Sequence, residues 1–295
     1  MKGAFGSITK ARLTTSEGSC MVAVKHLRPC GTAAADWKRM TLRLRREITV
    51  WQRLDHENVI PLLGTIEDEQ PCIGMVSPWM EAGNLSAFVS RLSPTLVHRL
   101  QLPCDVAAGL RYREHFLGSK LRNAYLSPLP VHSKGVIHGD VTGANVLIGD
   151  DGVGRLVDFG LSIIKAEFEG TSFITSTRGG ALRYRALELV PSIDADVQID
   201  ERITQLNTMC DIYSLGSVVL EILSSHIPYF SISDDILVTL ALSRRILPER
   251  PPSDFLTDPY WALINRCWEL EASSRPSADQ VYTSLSDLRD ARLLQ

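Results

Sequence analysis

Residues 135–162 read GVIHGDVTGANVLIGDDGVGRLVDFGLS. Asp140, Asn145 and Asp158 stand here between apolar, strand-like runs. Asn145 and Asp158 offer the hard oxygen atoms that suit Mg²⁺, an ion that keeps several waters and takes few protein ligands. Asp140 can accept the proton of a substrate hydroxyl. Any one of these side chains alone is an ordinary turn residue. The whole string, in this order and downstream of an AVK strand and a Glu-bearing helix, is too specific for that reading.

Working outward, residues 2–11 read KGAFGSITKA. Gly3 and Gly6 let the backbone approach a phosphate and cradle its oxygens with N–H groups, although a hairpin turn uses glycine in the same way. SITKARL alternates, TTSEGS turns, and CMVAVKHL is a β-branched run, which predicts two paired strands. Lys25 lies in the second, beside Ala23 and Val24. An ammonium facing a buried cleft needs a partner, and Glu47 on the following helix is the candidate. That helix is marked by Asp36 as N-cap and by Met40, Leu44, Ile48 and Trp51 at helical spacing. Two more strands are predicted near 59–66 and 72–77. From Asn84 onward helical patterns dominate, and CDIYSLGSVVLEILSS, almost wholly apolar, predicts a buried central helix. The expected fold is α+β with two lobes: strands over 1–76, a joint over 77–81 and helices over 82–295.

Composition narrows the function. The chain has 295 residues, 44% hydrophobic and 22% charged, enough for one large domain or two lobes around a cleft. A net charge of -3 without a basic block argues against a nucleic-acid or membrane-surface partner. No apolar run is long enough to span a bilayer, and the first residues lack the apolar stretch of a signal peptide. The six cysteines form no CxxC pair and are expected to be buried, reduced thiols of an intracellular, cytoplasmic protein.

The assembled pattern resembles the protein-kinase signature set: a Gly-rich loop, a strand Lys, a helix Glu, a catalytic loop, DFG and APE. HGDVTGANVLI stands for the catalytic loop, DFG is intact at Asp158–Gly160, and RYRALELV carries Glu188 where the APE acid belongs. DIYSLG supplies Asp211, and CWELEASSRPSADQV supplies Arg275, which the resemblance pairs with Glu188. HGD…GAN, VSPWMEAGNL and CW…RPS look like the tyrosine-kinase-like group of Ser/Thr kinases, above all the expanded sets of mushroom-forming fungi. The resemblance implies that Lys25 holds the ATP phosphates, Glu47 orients it, Asp140 is the base, and Asn145 and Asp158 bind Mg²⁺. It further implies a nucleotide site formed by Gly3, Gly6, Ile8, Ala23 and Leu147. Adenine would meet the Pro78 carbonyl and both backbone groups of Met80, behind Ser77 as gatekeeper, with Asn84 near the ribose. The implied partners are ATP and a Ser- or Thr-containing protein.

Several positions depart from that pattern. Met1 occupies the place of the loop's first glycine, so the preceding strand is expected to be missing and a sheet edge left open. Thr142 stands where the catalytic loop carries Lys, and Ala181 where its Thr partner belongs. Gly139 replaces the Arg of HRD, and Leu187 the Pro of APE. His138 is retained and is expected to bond backbone. Thr171, Ser172, Thr175, Ser176 and Thr177 are candidate autophosphorylation sites in a loop. Residues 113–130 interrupt an otherwise regular helix with Gly118, Pro128 and Pro130, and are expected to form an irregular excursion. Two origins stand for them, a retained intron and a surface loop particular to this protein. The functional expectation is slow, ATP- and Mg²⁺-dependent phosphoryl transfer to protein Ser/Thr, with a catalytically impaired, nucleotide-binding scaffold as the rival.

Overall fold

The computed structural model describes residues 2–3, 6–16, 18–27, 44–45, 48–49, 51–52, 54–67, 73–92, 94–120, 137–158, 181–192 and 206–294, with backbone alone at 2, 3, 6, 27 and 113–120. Glu47, Phe159, Gly160 and the candidate phosphorylation sites at 171–177 lie outside the described residues.

The N-terminal part is an antiparallel sheet of β1 (Lys2–Gly3), β2 (Gly6–Thr15), β3 (Gly18–Leu27), β4 (Gly64–Glu67) and β5 (Ile73–Pro78), in the order β1-β2-β3-β5-β4. The edge that the sequence reading leaves open carries the two-residue β1, whose Lys2 pairs Ser7 and whose Gly3 pairs Gly6. Period-two alternation sorts the side chains. Val22, Val24 and Val76 are buried on one face with Ala11 and Leu13 packed against them. The register pairs Ile8 with Lys25, Lys25 with Met75 and Ala23 with Ser77, so these residues share the opposite face. Met75, 2% exposed, joins the main core from there.

The first of the two later strands begins at Gly64, not near 59. Asn58, Val59 and Ile60 are instead extended linker turned into the core, where Val59 bridges Leu156 and the Ile60 N–H reaches the Leu156 carbonyl at 2.9 Å. Leu44, Ile48 and Trp51, helical where described, are buried in that same core, and the Trp51 indole N–H donates to the Ile60 carbonyl at 2.7 Å.

The C-terminal part holds α1 (Leu85–Arg91), α2 (Leu96–Lys120), the hairpin β6 (Val146–Ile148) and β7 (Gly154–Leu156), α3 (Thr208–Ser224), α4 (Asp235–Ser243), α5 (Asp258–Cys267) and α6 (Ala278–Leu293). Helix α3 is the predicted central helix. Asn207 caps it by accepting the Met209 and Cys210 N–H groups, and Cys210 to Ser224 is buried apart from Ser214. Each fully buried Leu, Ile or Val contributes about 1.5–3 kcal/mol, so this helix anchors the lobe. Gly216 lets α5 close on it: an added Cβ would stand 2.7 Å from the Cys267 Cβ.

Two expectations are corrected. Helix α2 runs on through Lys120, so the irregular excursion does not begin at 113, and 121–136 lie outside the described residues. Cys104, Cys210 and Cys267 are buried and free, but Cys20 is exposed on β3, on the face of Val22 and Val24 and near the turn end of the hairpin. Among the described residues no helix is long and apolar enough to cross a membrane.

Candidate functional site

The loop carrying Asp140 is suspended from α3. Asp211 accepts the His138 N–H at 2.6 Å and the Gly139 N–H at 2.8 Å. Gly139 has φ of 76°, a left-handed conformation that glycine adopts without the steric cost of a side chain. Glycine at the place of the HRD arginine is therefore matched to this backbone. His138 is fully buried; its Nδ1 accepts the Asp140 N–H at 3.3 Å and its Nε2 faces the Val157 carbonyl at 3.0 Å. That pair of partners puts the proton on Nε2.

Asn145 closes the turn Gly143–Asn145. Its Nδ2 donates to the Asp140 carbonyl at 2.8 Å and to Asp140 Oδ2 at 2.9 Å, which fixes the carboxylate and aims the amide oxygen away from it. Its own carbonyl accepts the Val157 N–H at 3.0 Å, tying the loop to the segment that leads from β7 to Asp158. Asp158 has φ of 68°, an uncommon conformation for a residue with a side chain, and it pairs with Lys25 from the facing lobe. Both side chains are largely buried, at 18% and 15% exposed. Lys25 thus meets Asp158; its expected partner Glu47 lies outside the described residues.

Above these groups lies the face of β2, β3 and β5 that carries Ile8, Ala23, Lys25 and Ser77, and Leu147 on β6 is half-buried across from it, held by a bridge to Asn84. In the joint, the Trp79 N–H bonds the Met21 carbonyl at 3.1 Å, and the Met80 carbonyl already accepts the Gly83 N–H at 3.2 Å. Asn84 caps α1 by accepting the Ala87 N–H at 2.9 Å, a bond that uses its amide oxygen and not its NH₂. Lys10, on the same face as Ile8, sits 4.9 Å from the centre of the Trp79 ring and pairs with Glu81. The hydrogen bond from Lys10 holds the Glu81 carboxyl below its ordinary value. Sequence reading missed this rim, although the alternation of β2 signals it.

The donor set fits a divalent ion shared with phosphates. One carboxylate and one amide oxygen are a small set, and Mg²⁺ is usually bound by one or two carboxylates together with substrate oxygens. Among the described residues no group of three His, Cys, Asp or Glu could hold a metal unaided.

The altered positions surround the same loop. Thr142 is buried and neutral, and Ala181 opens the turn Ala181–Tyr184. The Tyr184 hydroxyl donates to Glu221 Oε2 at 2.8 Å. Glu221 lies under the loop, where a Cβ on Gly143 would come within 2.2 Å of it. Burial raises the Glu221 pKa, opposed by hydrogen bonds from Ser86 and Tyr184. Arg275 and Glu188 form the expected bidentate pair, at 2.6 and 2.7 Å. Burial pushes the Glu188 carboxyl up, but Arg275 prevails and holds it below its ordinary value.

Comparison with known proteins agrees with this geometry. Residues 2–285 match the protein kinase domain family. The chain is 28% identical over 305 residues to a probable leucine-rich repeat receptor-like protein kinase of Arabidopsis thaliana, covering 98% of this chain and 34% of the relative. It is 26% identical over 285 residues to a probable serine/threonine-protein kinase of Dictyostelium discoideum, covering 96% of this chain and 38% of that protein. It is 28% identical over 297 residues to the serine/threonine-protein kinase mos of Patiria pectinifera, covering 98% of this chain and 73% of the relative. The chain thus spans about a third of the length of the first two of these relatives.

Proposed function

The chain belongs to the protein kinase domain family, and from that premise we propose that it transfers the γ-phosphoryl group of ATP to Ser or Thr hydroxyls of a protein, slowly and with Mg²⁺. The observation that carries this reading is the Asn145 amide, which holds Asp140 at 2.9 Å while its backbone ties the loop to the strand leading to Asp158. Positioning and charge neutralisation supply most of the catalysis in phosphoryl transfer, and these side chains are arranged for both.

In this reading Asp140 orients the substrate hydroxyl and takes its proton. Lys25 would exchange Asp158 for the ATP phosphates, freeing the Asp158 carboxylate, which with the Asn145 oxygen would hold the metal. Mg²⁺, when bound, neutralises charge on the phosphate oxygens. Ile8, Ala23 and Leu147 enclose the base, the Pro78 carbonyl and Met80 backbone receive its edge, and Asn84 meets the ribose. Gly3 and Gly6 cover the phosphates. Two Ser/Thr kinases among the relatives favour Ser/Thr over Tyr as acceptor. The HGD…GAN and CW…RPS stretches support placement in the tyrosine-kinase-like group.

Thr142 and Ala181, neutral at two positions around Asp140, favour a second reading: a nucleotide-binding scaffold without chemistry. Transfer of radiolabelled phosphate from Mg-ATP to the chain itself and to Ser/Thr peptides separates the two. The enzyme reading expects incorporation that Asp140→Asn abolishes. A thermal shift with Mg-ATP and no incorporation leaves the scaffold.

A further inference from the structure

Asp140 stands in a crowd of negative charge. The Asp158 carboxylate belongs to the same lobe, its segment tied to the loop of Asp140 through Val157 and Asn145, and the proposed reaction would bring a polyphosphate to both. A carboxylate in such company is held in place best by a nearby cation. Residues 139–145 read GDVTGAN and provide none.

A cation reaches the loop from another segment. Arg185 follows the turn Ala181–Tyr184, its N–H bonded to the Leu182 carbonyl at 3.1 Å, and its side chain is driven inward until the residue is 6% exposed. The two segments hang from neighbouring points of α3. Asp211 holds the His138 and Gly139 N–H groups, and Ser214 donates to the Tyr184 carbonyl at 2.8 Å. Helix residues three apart have Cβ atoms ~5–6 Å from each other. Asp140 and Arg185 are each the next residue beyond one of these anchors. Further along the helix, Glu221 joins the same two segments again, through the Tyr184 hydroxyl and against Gly143.

Electrostatics agrees with the placement. Burial draws the Arg185 guanidinium down to about 10, and the Asp140 carboxylate is the charge that opposes the fall. At neutral pH the guanidinium therefore stays charged. Burial of a charge is costly unless it is compensated, and the Asp140 carboxylate is the charge that acts on this arginine.

We propose that Arg185 is a positioning residue of the phosphoryl-transfer site, the cation that holds the Asp140 carboxylate in its working orientation. This rests on the transfer reading above and adds to it a residue that the family pattern around Glu188 does not single out. It also accounts for the tolerance of Thr142: the positive charge comes from another segment.

The test compares wild type, Arg185→Lys, Arg185→Met and the double variant Arg185→Met/Thr142→Lys, measuring radiolabel transfer from Mg-ATP and melting temperature. Arg185→Met should lower kcat by ~10²-fold, the scale of losing one charge-stabilising donor, with KM for Mg-ATP unchanged. Arg185→Lys should retain most of kcat. Thr142→Lys should recover part of the loss in the Met background, because it restores charge without filling the space that Arg185 leaves. An unchanged kcat in Arg185→Met, or a loss that Thr142→Lys leaves untouched, overturns the proposal. Should Arg185→Met not fold, Arg185→Lys decides: transfer lost from an intact fold overturns it, and transfer kept supports it. Should wild type transfer no phosphate, the enzyme reading fails, and the pairing is decided by a double-mutant cycle of Arg185→Met and Asp140→Asn in chemical denaturation. Coupled losses support the pairing and additive losses overturn it.

Discussion

Two glutamates in one lobe, Glu188 half-buried and Glu221 fully buried, respond to pH in opposite directions. Glu188 is held ionised by Arg275, whose guanidinium also donates to the Met209 carbonyl at 2.9 Å and the Glu269 carbonyl at 2.9 Å. A carboxyl depressed by folding contributes stability above its unfolded pKa and loses it as pH falls through its folded value. Arg275→Ala strands Glu188 in a dry site and should cost about 3–5 kcal/mol in chemical denaturation; a loss below ~1 kcal/mol would contradict a buried pair. Glu221 is the reverse. Burial raises its pKa, so its neutral form is favoured in the folded state, and wild type loses stability as pH rises from the ordinary Glu range through the raised value. Glu221→Gln can still accept the Tyr184 hydroxyl and removes the charge. It should melt above wild type at neutral pH, and the gap should close as pH falls to the ordinary Glu range. A gap that stays constant with pH would show that Glu221 does not titrate there. Neither behaviour is legible in sequence. Glu221 reads as one polar residue in an apolar helix, and the partners that set its charge come from α1 and from the Ala181–Tyr184 turn.

Elements differ in how openly the sequence announces them. Strands β2 and β3 are read from alternation and a turn, and α3 from an apolar run closed by Asn207. The stretch around Val59 misleads because the linker is as apolar as a strand; its residues are buried by packing on β7 instead of by sheet pairing. Helix α2 misleads in another way. Its anchors are Arg99, which donates to the Ile222 carbonyl at 2.8 Å, Asp105, which accepts the Gly154 N–H at 2.9 Å, and Tyr112, whose hydroxyl accepts the Asp55 N–H at 3.2 Å and whose ring stacks on His56. These precede residue 113. Helical backbone then continues to Lys120 despite Gly118, since a glycine costs only ~1 kcal/mol relative to Ala. Deleting 113–130 and placing Leu at 131 should leave the fold intact and raise the melting temperature, because the anchored part of α2 is untouched. Unfolding on deletion would show that the segment is integral to the domain.

At the scale of the whole molecule, the two lobes meet through chemistry. Lys25 of the sheet reaches Asp158 of the helical lobe, and α3 positions Asp140 through Asp211 and Arg185 through Ser214. The string 135–162 disclosed Asp140, Asn145 and Asp158, because their order is local. It could not disclose the partner of Lys25, which lies 133 residues away, nor Arg185, which is hidden inside a motif read for its acid. This constellation is proposed to perform phosphoryl transfer despite Thr142 and Ala181. The most direct test is single-turnover transfer from radiolabelled Mg-ATP, wild type against Asp140→Asn, with both shown to bind Mg-ATP. Wild type should incorporate label slowly, and Asp140→Asn should fall by ~10²-fold or more, the scale of a lost general base. Mg-ATP binding by both with no transfer by wild type, or equal transfer by the two, would contradict the proposal.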